Sequence, residues 1–496
     1  MRRVLAAAPV AALCAVVSLG LAAAAVQAGF VADDTLRLWA GASTAVEGGV
    51  SIGRIVAGYP TIPFLTTTVV AWLAPAGTPA PALVAAAFAG LIAGGLYLAF
   101  RGIGLSIVAA GIAALLIVLH PALLAAALSG PADMYLALFL FMLCRALYDL
   151  RVRSGTAEVM ATALALLGLA FSHPMGAALG FAAVPFLAFA VRPALVMSSA
   201  FNVVIALIFP TVFALAAFAY VSWIFPGAGW SFFAASAQSL ASWSAAAARV
   251  FGDGLSGIHA LDASLAMAAA LVLGAPVAWI ALAGVRRRRP LTTPALVFAA
   301  TAIATTALAA SSGLFGDPTA LAVAAPVLAA IVITRVPAAR ARPALLIALL
   351  GLGWLGGAAG LALTDPGSVH RLRVALAGHG GEPEQLDALS AGGAAGGRDG
   401  VLADTDNAPV FVLGHGGARG VFGPQSEPFV LALLFSRIDT AFVAVPDPQS
   451  VTGANDRLNK AFPLLFRDGA PGYGVVYQNN TWRVFARLNI GATSKP

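Results

Sequence analysis

Charge is what this sequence has least of. Only 10% of its 496 residues are Asp, Glu, Lys or Arg while 60% are hydrophobic, against about 25% charged in an ordinary soluble domain. A single water-soluble globule is excluded. Cysteine is nearly as scarce: Cys14 and Cys144 both lie in apolar runs, which excludes a disulfide framework and a cysteine-based metal site. No internal repeat is visible, the apolar runs hold almost no charge at their centres, and no broken pair of helices stands out, all of which argue against a transporter. The formal charge of +7 is unevenly spread, with seventeen arginines against nine acids in residues 1–364 and eleven bases against twelve acids after that. Such a split speaks of membrane topology, and not of a surface for nucleic acid.

Long apolar runs are what the sequence has in their place. A helical crossing takes about 17–25 apolar residues and must satisfy its own backbone. Runs near that length occupy 5–28, 80–100, 103–121, 132–150, 156–172, 174–191, 195–224, 262–285, 291–310, 318–334 and 343–363. The expected fold is an all-α polytopic membrane bundle of about eleven transmembrane helices over residues 1–364. The first run, with Arg2 and Arg3 before it and Val26-Gln27-Ala28 after it, reads either as a signal peptide or as a retained anchor. The acidic segment that follows favours the anchor.

Short cytoplasmic loops carry excess arginine. With eleven alternating spans, fourteen arginines (2, 3, 101, 145, 151, 153, 192, 286–289, 335, 340 and 342) fall on one face, and only Arg37, Arg54 and Arg249 fall on the other. Asp33, Asp34, Glu47, Asp133, Asp253, Asp262 and Asp317 join the three. The N-terminus is therefore expected inside and the C-terminus outside, in a bacterial inner membrane with a periplasmic C-terminal domain. The same parity makes the short apolar segment 59–74, with Pro60 and Pro63 at its start, a half-inserted or interfacial helix.

Three outer segments exceed the length of turns: 29–79, 225–261 and everything after 364. The first holds a surface helix from Thr35 to Val46 with Leu36, Leu38 and Trp39 on its apolar side. The second, with Trp230, Phe232, Phe233 and Trp243, reads as an interfacial amphipathic helix. Residues 365–400 form a linker ending in the flexible Gly/Ala-rich stretch Ala391 to Gly397. Residues 401–496 form a small α/β domain, with strands expected at Pro409 to Leu413, Thr440 to Val445, Tyr473 to Tyr477 and Thr481 to Leu488, helices at Phe429 to Phe435 and Leu458 to Phe466, and a turn at Asn479-Asn480-Thr481.

Ionisable groups at the outer ends of spans are the candidates for chemistry. They are Asp33 and Asp34 after the first span, His120 before Pro121, Asp133 opening the fourth span, and His173 in Ser172-His173-Pro174. Each has a structural reading beside the functional one. Asp33 or Asp34 would cap the Thr35 helix, Asp133 would cap its span, and each histidine precedes a proline at a helix end.

An acidic pair after the first span, the Tyr59-Pro60-Thr61-Ile62-Pro63 segment, a later acid at Asp133 and a large C-terminal outer domain together resemble the GT-C superfamily over about residues 1–200. These are integral-membrane glycosyltransferases that use polyprenyl-phosphate sugars, such as protein mannosyltransferases and lipid A aminoarabinose transferases. The resemblance implies transfer of a sugar from a polyprenyl phosphate to a lipid, glycan or protein. It implies Asp34 or Asp33 as general base or metal ligand, and Asp133, with His173, as positioning groups for acceptor or metal. A divalent metal is the cofactor it leaves open. Members commonly place a base in a late outer loop to hold the donor phosphate; here that loop has Asp317 and no base, so the outer cations are Arg37, Arg54 and Arg249. A non-catalytic membrane protein with a partner- or glycan-binding outer domain, and a lipid or polysaccharide translocator, are the rival readings. Asp33, Asp34, Asp133 and His173 are expected around one outward-facing cavity.

The arginine distribution generates a direct test. A periplasm-active reporter fused after Pro496 should be active, and a cytoplasm-active one fused after Arg289 should be active too. The opposite pair of signals would overturn the span count.

Overall fold

The computed structural model describes residues 2–29, 31–47, 59–75, 78–224, 259–283, 289–312, 315, 318–335, 342–364, 366–377, 382–424 and 426–488. Arg54, Arg249 and most of the segment 225–261 lie outside them. Among the described residues five helices are individually long and apolar enough to cross a bilayer: Ala6–Gln27, Ala80–Gly102, Phe201–Tyr220, Thr292–Ser312 and Pro343–Ala362. The chain forms two compact units.

The first unit comprises Met1–Ala22, Val56–Pro63 and Ala82–Arg373, and its core is built largely from alanine. Small side chains let helices approach closely: a Cβ added at Gly176 would stand 2.0 Å from the Leu169 carbonyl oxygen, so this helix pair depends on glycine there. Asp149 accepts from Arg335 at 2.9 Å, tying helix Pro131–Val152 to helix Ala324–Arg335. The helix Pro131–Val152 has 22 residues, about 33 Å at the α-helical rise.

Three of the eleven expected spans are not single helices. The run 103–121 is Ile107–Val118, followed after a 56° bend by Pro121–Ser129. The run 262–285 is His259–Gly274 and then Pro276–Ala283. The run 318–334 begins as a 3-10 turn, Pro318–Val323, before Ala324–Arg335. Pro121 and Pro276 supply the physical reason for the first two, because proline lacks the N–H and collides with the preceding turn. No broken pair is obvious in the sequence, whereas the structure bends at Pro121 and breaks at Pro276, with His120 between Ile107–Val118 and Pro121–Ser129.

In an apolar medium a broken helix must have its freed backbone groups met by other donors. The Trp354 indole donates to the Leu119 carbonyl at 2.7 Å. His120, almost fully buried, accepts from the Ala122 amide through Nδ1 at 3.3 Å, which leaves Nε2–H to donate to the Gly353 carbonyl at 3.3 Å. A Cβ at Gly357 would sit 2.3 Å from His120 Nε2, so only glycine admits the ring. At the second break Trp279 donates to the Leu271 carbonyl at 2.9 Å. Protein groups therefore fill the first break, which weakens it as a translocation pathway.

The second unit comprises Ala23–Ile55, Phe64–Pro81 and Val374–Pro496. Its sheet runs in the order β2-β1-β3-β5-β4, with β1 Val401–Leu402, β2 Val421–Phe422, β3 Phe442–Pro446, β4 Tyr473–Gln478 and β5 Trp482–Arg487. β1 lies parallel to β2 and β3, and β5 lies antiparallel to β3 and β4. Side chains alternate across the sheet: Ala444, Trp482 and Val484 join one core with Leu36, Ala391 and Phe411, while Val443, Val445 and Phe485 join another with Phe429 and Leu458. Asn479 makes the β4–β5 turn, its Oδ1 accepting from the amides of Thr481 and Trp482.

Several local expectations for this unit are corrected. The stretch at Pro409 is the helix Pro409–His415; Pro409 suits a first helical turn and cannot donate within a sheet. Ala391 to Gly397 is not a flexible connector, since helix Pro383–Ala394 runs into it and Ala391 and Ala395 are fully buried. Its small residues serve close packing, because a Cβ at Gly392 would meet the Phe411 carbonyl oxygen at 2.3 Å. The rest of the expected linker also contains the helix Pro366–Ala377. The segment expected to be helical from Leu458 to Phe466 is two short helices, Arg457–Ala461 and Leu465–Asp468. The apolar segment 59–74 forms the 13-residue helix Thr61–Leu73, about 20 Å long by its rise and short of a bilayer core of about 30 Å.

The repair of the first break makes a stability prediction. Trp354→Phe keeps the ring's bulk but leaves the Leu119 carbonyl without its donor, and should cost about 1–3 kcal/mol, seen as a lower unfolding temperature in detergent. Trp223→Phe, at an exposed position, should leave that temperature unchanged. Equal behaviour of the two variants would deny the repair.

Candidate functional site

Within the first unit, two of the sequence candidates meet. The joint Ser129-Gly130-Pro131 turns on Gly130 at φ +127°, a left-handed conformation that L side chains resist. It starts the helix Pro131–Val152 so that Asp133 falls in its first turn. Asp133 is thus not the cap residue, a place Gly130 takes. Its Oδ1 lies 2.9 Å from His173 Nε2, and both side chains are mostly buried.

His173 owes its orientation to the proline after it. Thr156–Ser172 ends at His173, whose extended backbone begins Pro174–Ala190, and its Nδ1 accepts from the Met175 amide at 3.0 Å. With Nδ1 used as an acceptor, the neutral ring carries its proton on Nε2 and donates it to Asp133. Pro174 also has no N–H to offer the Ala170 carbonyl one turn back. The Tyr59 hydroxyl fills that role at 3.0 Å, which brings the Tyr59-Pro60 segment against the turn that carries His173. Sequence reading singled out both motifs without seeing that one completes the other.

The second unit holds Asp33, Asp34 and Arg37. Helix Asp33–Glu47 takes the place of the expected surface helix, with Leu36, Leu38 and Trp39 buried as its apolar side requires. Asp34 and Arg37 are exposed near its start. Asp33 begins the helix, and its side chain lies outside the described residues. Two clamps hold this helix to the C-terminal region. Gln385 accepts from the Val31 amide at 3.1 Å and donates to the Val31 carbonyl at 2.9 Å, fixing the backbone two residues before Asp33. At the far end Glu47 accepts from the amides of Ala418 and Arg419 at 2.5 and 3.1 Å. Neither clamp leaves a local sequence pattern, because the partners lie hundreds of residues apart.

Elsewhere in this unit the carboxyl of Asp456 is pushed up to about 7, chiefly by burial, with the Asn459 amide opposing and the neighbouring Asp404 adding to the rise. Among the described residues no group of three or more His, Cys, Asp or Glu side chains gathers to hold a metal. Of the residues expected to gather, Asp133 and His173 meet within the first unit.

No protein-family model matches the chain, and no curated protein matches it. Among solved structures, that of ArnT from Cupriavidus metallidurans bound to undecaprenyl phosphate is similar with a TM-score of 0.55 at 14% identity, covering 98% of this chain and 99% of that one. The chain shares the fold of that structure, that of a polytopic membrane protein with a small sheet domain.

The histidine–carboxylate pair yields a quantitative expectation. His173→Asn retains a capping acceptor and loses the contact with Asp133. A double-mutant cycle with Asp133→Asn should show a coupling of about 0.5–3 kcal/mol in unfolding free energy. Simple additivity would mean the two groups act separately.

Proposed function

We propose that the protein is a membrane glycosyltransferase that takes a sugar from a polyprenyl-phosphate donor and passes it to a lipid, glycan or protein at the periplasmic face of a bacterial inner membrane. The observation that carries this reading is likeness of fold along almost the whole chain to a protein solved with undecaprenyl phosphate bound. The helix Asp33–Glu47, which opens with two carboxylates directly after the first long apolar helix, agrees with it.

The chemistry follows from those groups. Nucleotide sugars stay in the cytoplasm, so an outer-face transfer needs a lipid-borne donor. Asp34, with Asp33 as the alternative, takes the proton from an acceptor hydroxyl. The acceptor oxygen attacks the anomeric carbon, and the bond to the phosphate oxygen breaks, returning its electron pair to the polyprenyl phosphate. Asp133, oriented by His173, positions the acceptor. Arg37, Arg54 and Arg249 are assigned to the donor phosphate. A divalent metal is compatible with this chemistry.

Asp34→Asn should lower transfer by about 10²- to 10⁴-fold in a lipid-linked sugar assay while the protein stays folded and inserted, and Asp33→Asn should be milder. Asn preserves the size and capping ability of Asp while removing its charge. Full activity in both variants would sink the catalytic assignment and favour a binding protein of the same fold.

A further inference from the structure

The C-terminal domain contains buried charge that the proposed reaction does not use. β1 and β3 are parallel neighbours, and open sheets of this kind place ligands outside the carboxyl ends of their parallel strands. Asp404 lies two residues beyond the end of β1, and Pro446 ends β3. Against these ends stands the turn Asp456 to Asn459, which opens the short helix Arg457–Ala461.

Asp404 and Asp456 are fully buried, and Asn459 is more than nine-tenths buried. Asp404 Oδ2 accepts from Asn407 Nδ2 at 2.7 Å and from the Arg457 amide at 2.9 Å. That amide is one peptide bond from Asp456, so the two carboxylates stand at the same turn. Asp456 Oδ1 accepts from the Asn459 amide at 2.8 Å. The Asn459 side-chain amide donates to the carbonyls of Pro446 at 2.8 Å and Gly453 at 3.4 Å, which fixes its orientation and makes Oδ1 its free acceptor. Three oxygens then have no hydrogen-bond donor: Asp404 Oδ1, Asp456 Oδ2 and Asn459 Oδ1.

Buried acceptors are nearly always paired, and two buried carboxylates also need compensating charge. Arg457 supplies little of it. Its half-exposed guanidinium lies 2.8 Å from Asp406 Oδ2 and 3.6 Å from Asp404 Oδ1, so the closer contact is with the exposed acid. One proton would serve a single donor role and one water two. A divalent cation takes several oxygens as ligands and would balance both carboxylate charges together. A donor set made only of oxygens suits a hard cation of the calcium type and not zinc or copper.

We propose that Asp404, Asp456 and Asn459 bind a calcium-type divalent cation at the carboxyl edge of the parallel strands, tying the β1 loop to the turn that follows β3. The site is independent of the transfer reaction, and its test reads binding alone.

The full-length protein in detergent, stripped with a chelator, should bind one Ca²⁺ per chain when titrated by calorimetry through about 10⁻⁵ to 10⁻² M. Ca²⁺ should also raise its unfolding temperature and slow proteolysis after residue 400. Asp404→Asn and Asp456→Asn should each weaken binding by at least about tenfold, whereas Asp468→Asn, at an exposed acid of the same domain, should bind as the unaltered chain does. Absence of Ca²⁺ binding by the unaltered protein overturns the proposal, whatever the variants do. Binding that survives both site substitutions, or falls equally in Asp468→Asn, overturns it as well. Stabilisation of Asp456→Asn without any metal would instead assign the pair to a shared proton.

Discussion

In the first unit, the constraint on which the rest depends is that backbone polar groups in an apolar surrounding must find partners within the protein. Continuous helices meet it automatically. This chain interrupts its helices with proline at Pro121, Pro174 and Pro276, and a specific side chain serves each interruption: Trp354 for the Leu119 carbonyl, Tyr59 for Ala170 and Trp279 for Leu271. These are amphipathic aromatics, able to bury a ring and present one donor. The interruption at Pro174 is also what makes His173 a cap residue and turns its remaining nitrogen toward Asp133. Backbone accounting in one helix thus fixes the protonation geometry of a candidate site.

A second dependence ties the two ends of the second unit. The helix bearing Asp34 buries Leu36 in the sheet domain's core and Ala40 against Val412 and Ala418. Its entry is fixed by Gln385 and its exit by Glu47. A carboxylate intended for proton transfer needs a fixed backbone, since misplacement by about 1 Å costs heavily in rate. The C-terminal domain acts as a mount for the helix Asp33–Glu47.

Composition alone made the membrane class legible, and apolar run lengths located most of the helices. The breaks are not legible because apolar character continues past Pro121 to the following helix and through Pro276 within 262–285, and hydropathy carries no information on backbone donors. Proline also governs the misread strand at Pro409, where Val410 and Val412 suggested a sheet but the missing N–H and the packing of Phe411 chose a helix. Alanine and glycine at 391–397 look alike in a flexible connector and in a tight helix contact, and only the neighbour, Phe411, distinguishes them. His173 and Asp133 were both legible as polar groups at helix ends, whereas their pairing depends on a tertiary approach. Gln385 carried no sign at all.

The clamp between Val31 and Gln385 joins residues 354 positions apart, and that distance is also an interval in time. At about 5–20 residues per second, the ribosome delivers Gln385 roughly 20–70 s after Val31 has been made. Throughout that interval Leu36 waits without the core it finally joins, whereas Leu38 and Ala45 have Phe64 close behind them in the chain. A nascent chain in this state keeps Leu36 and Ala40 without their final partners. Assembly of this unit is therefore necessarily a late event in synthesis, even though its first helix is among the earliest to form.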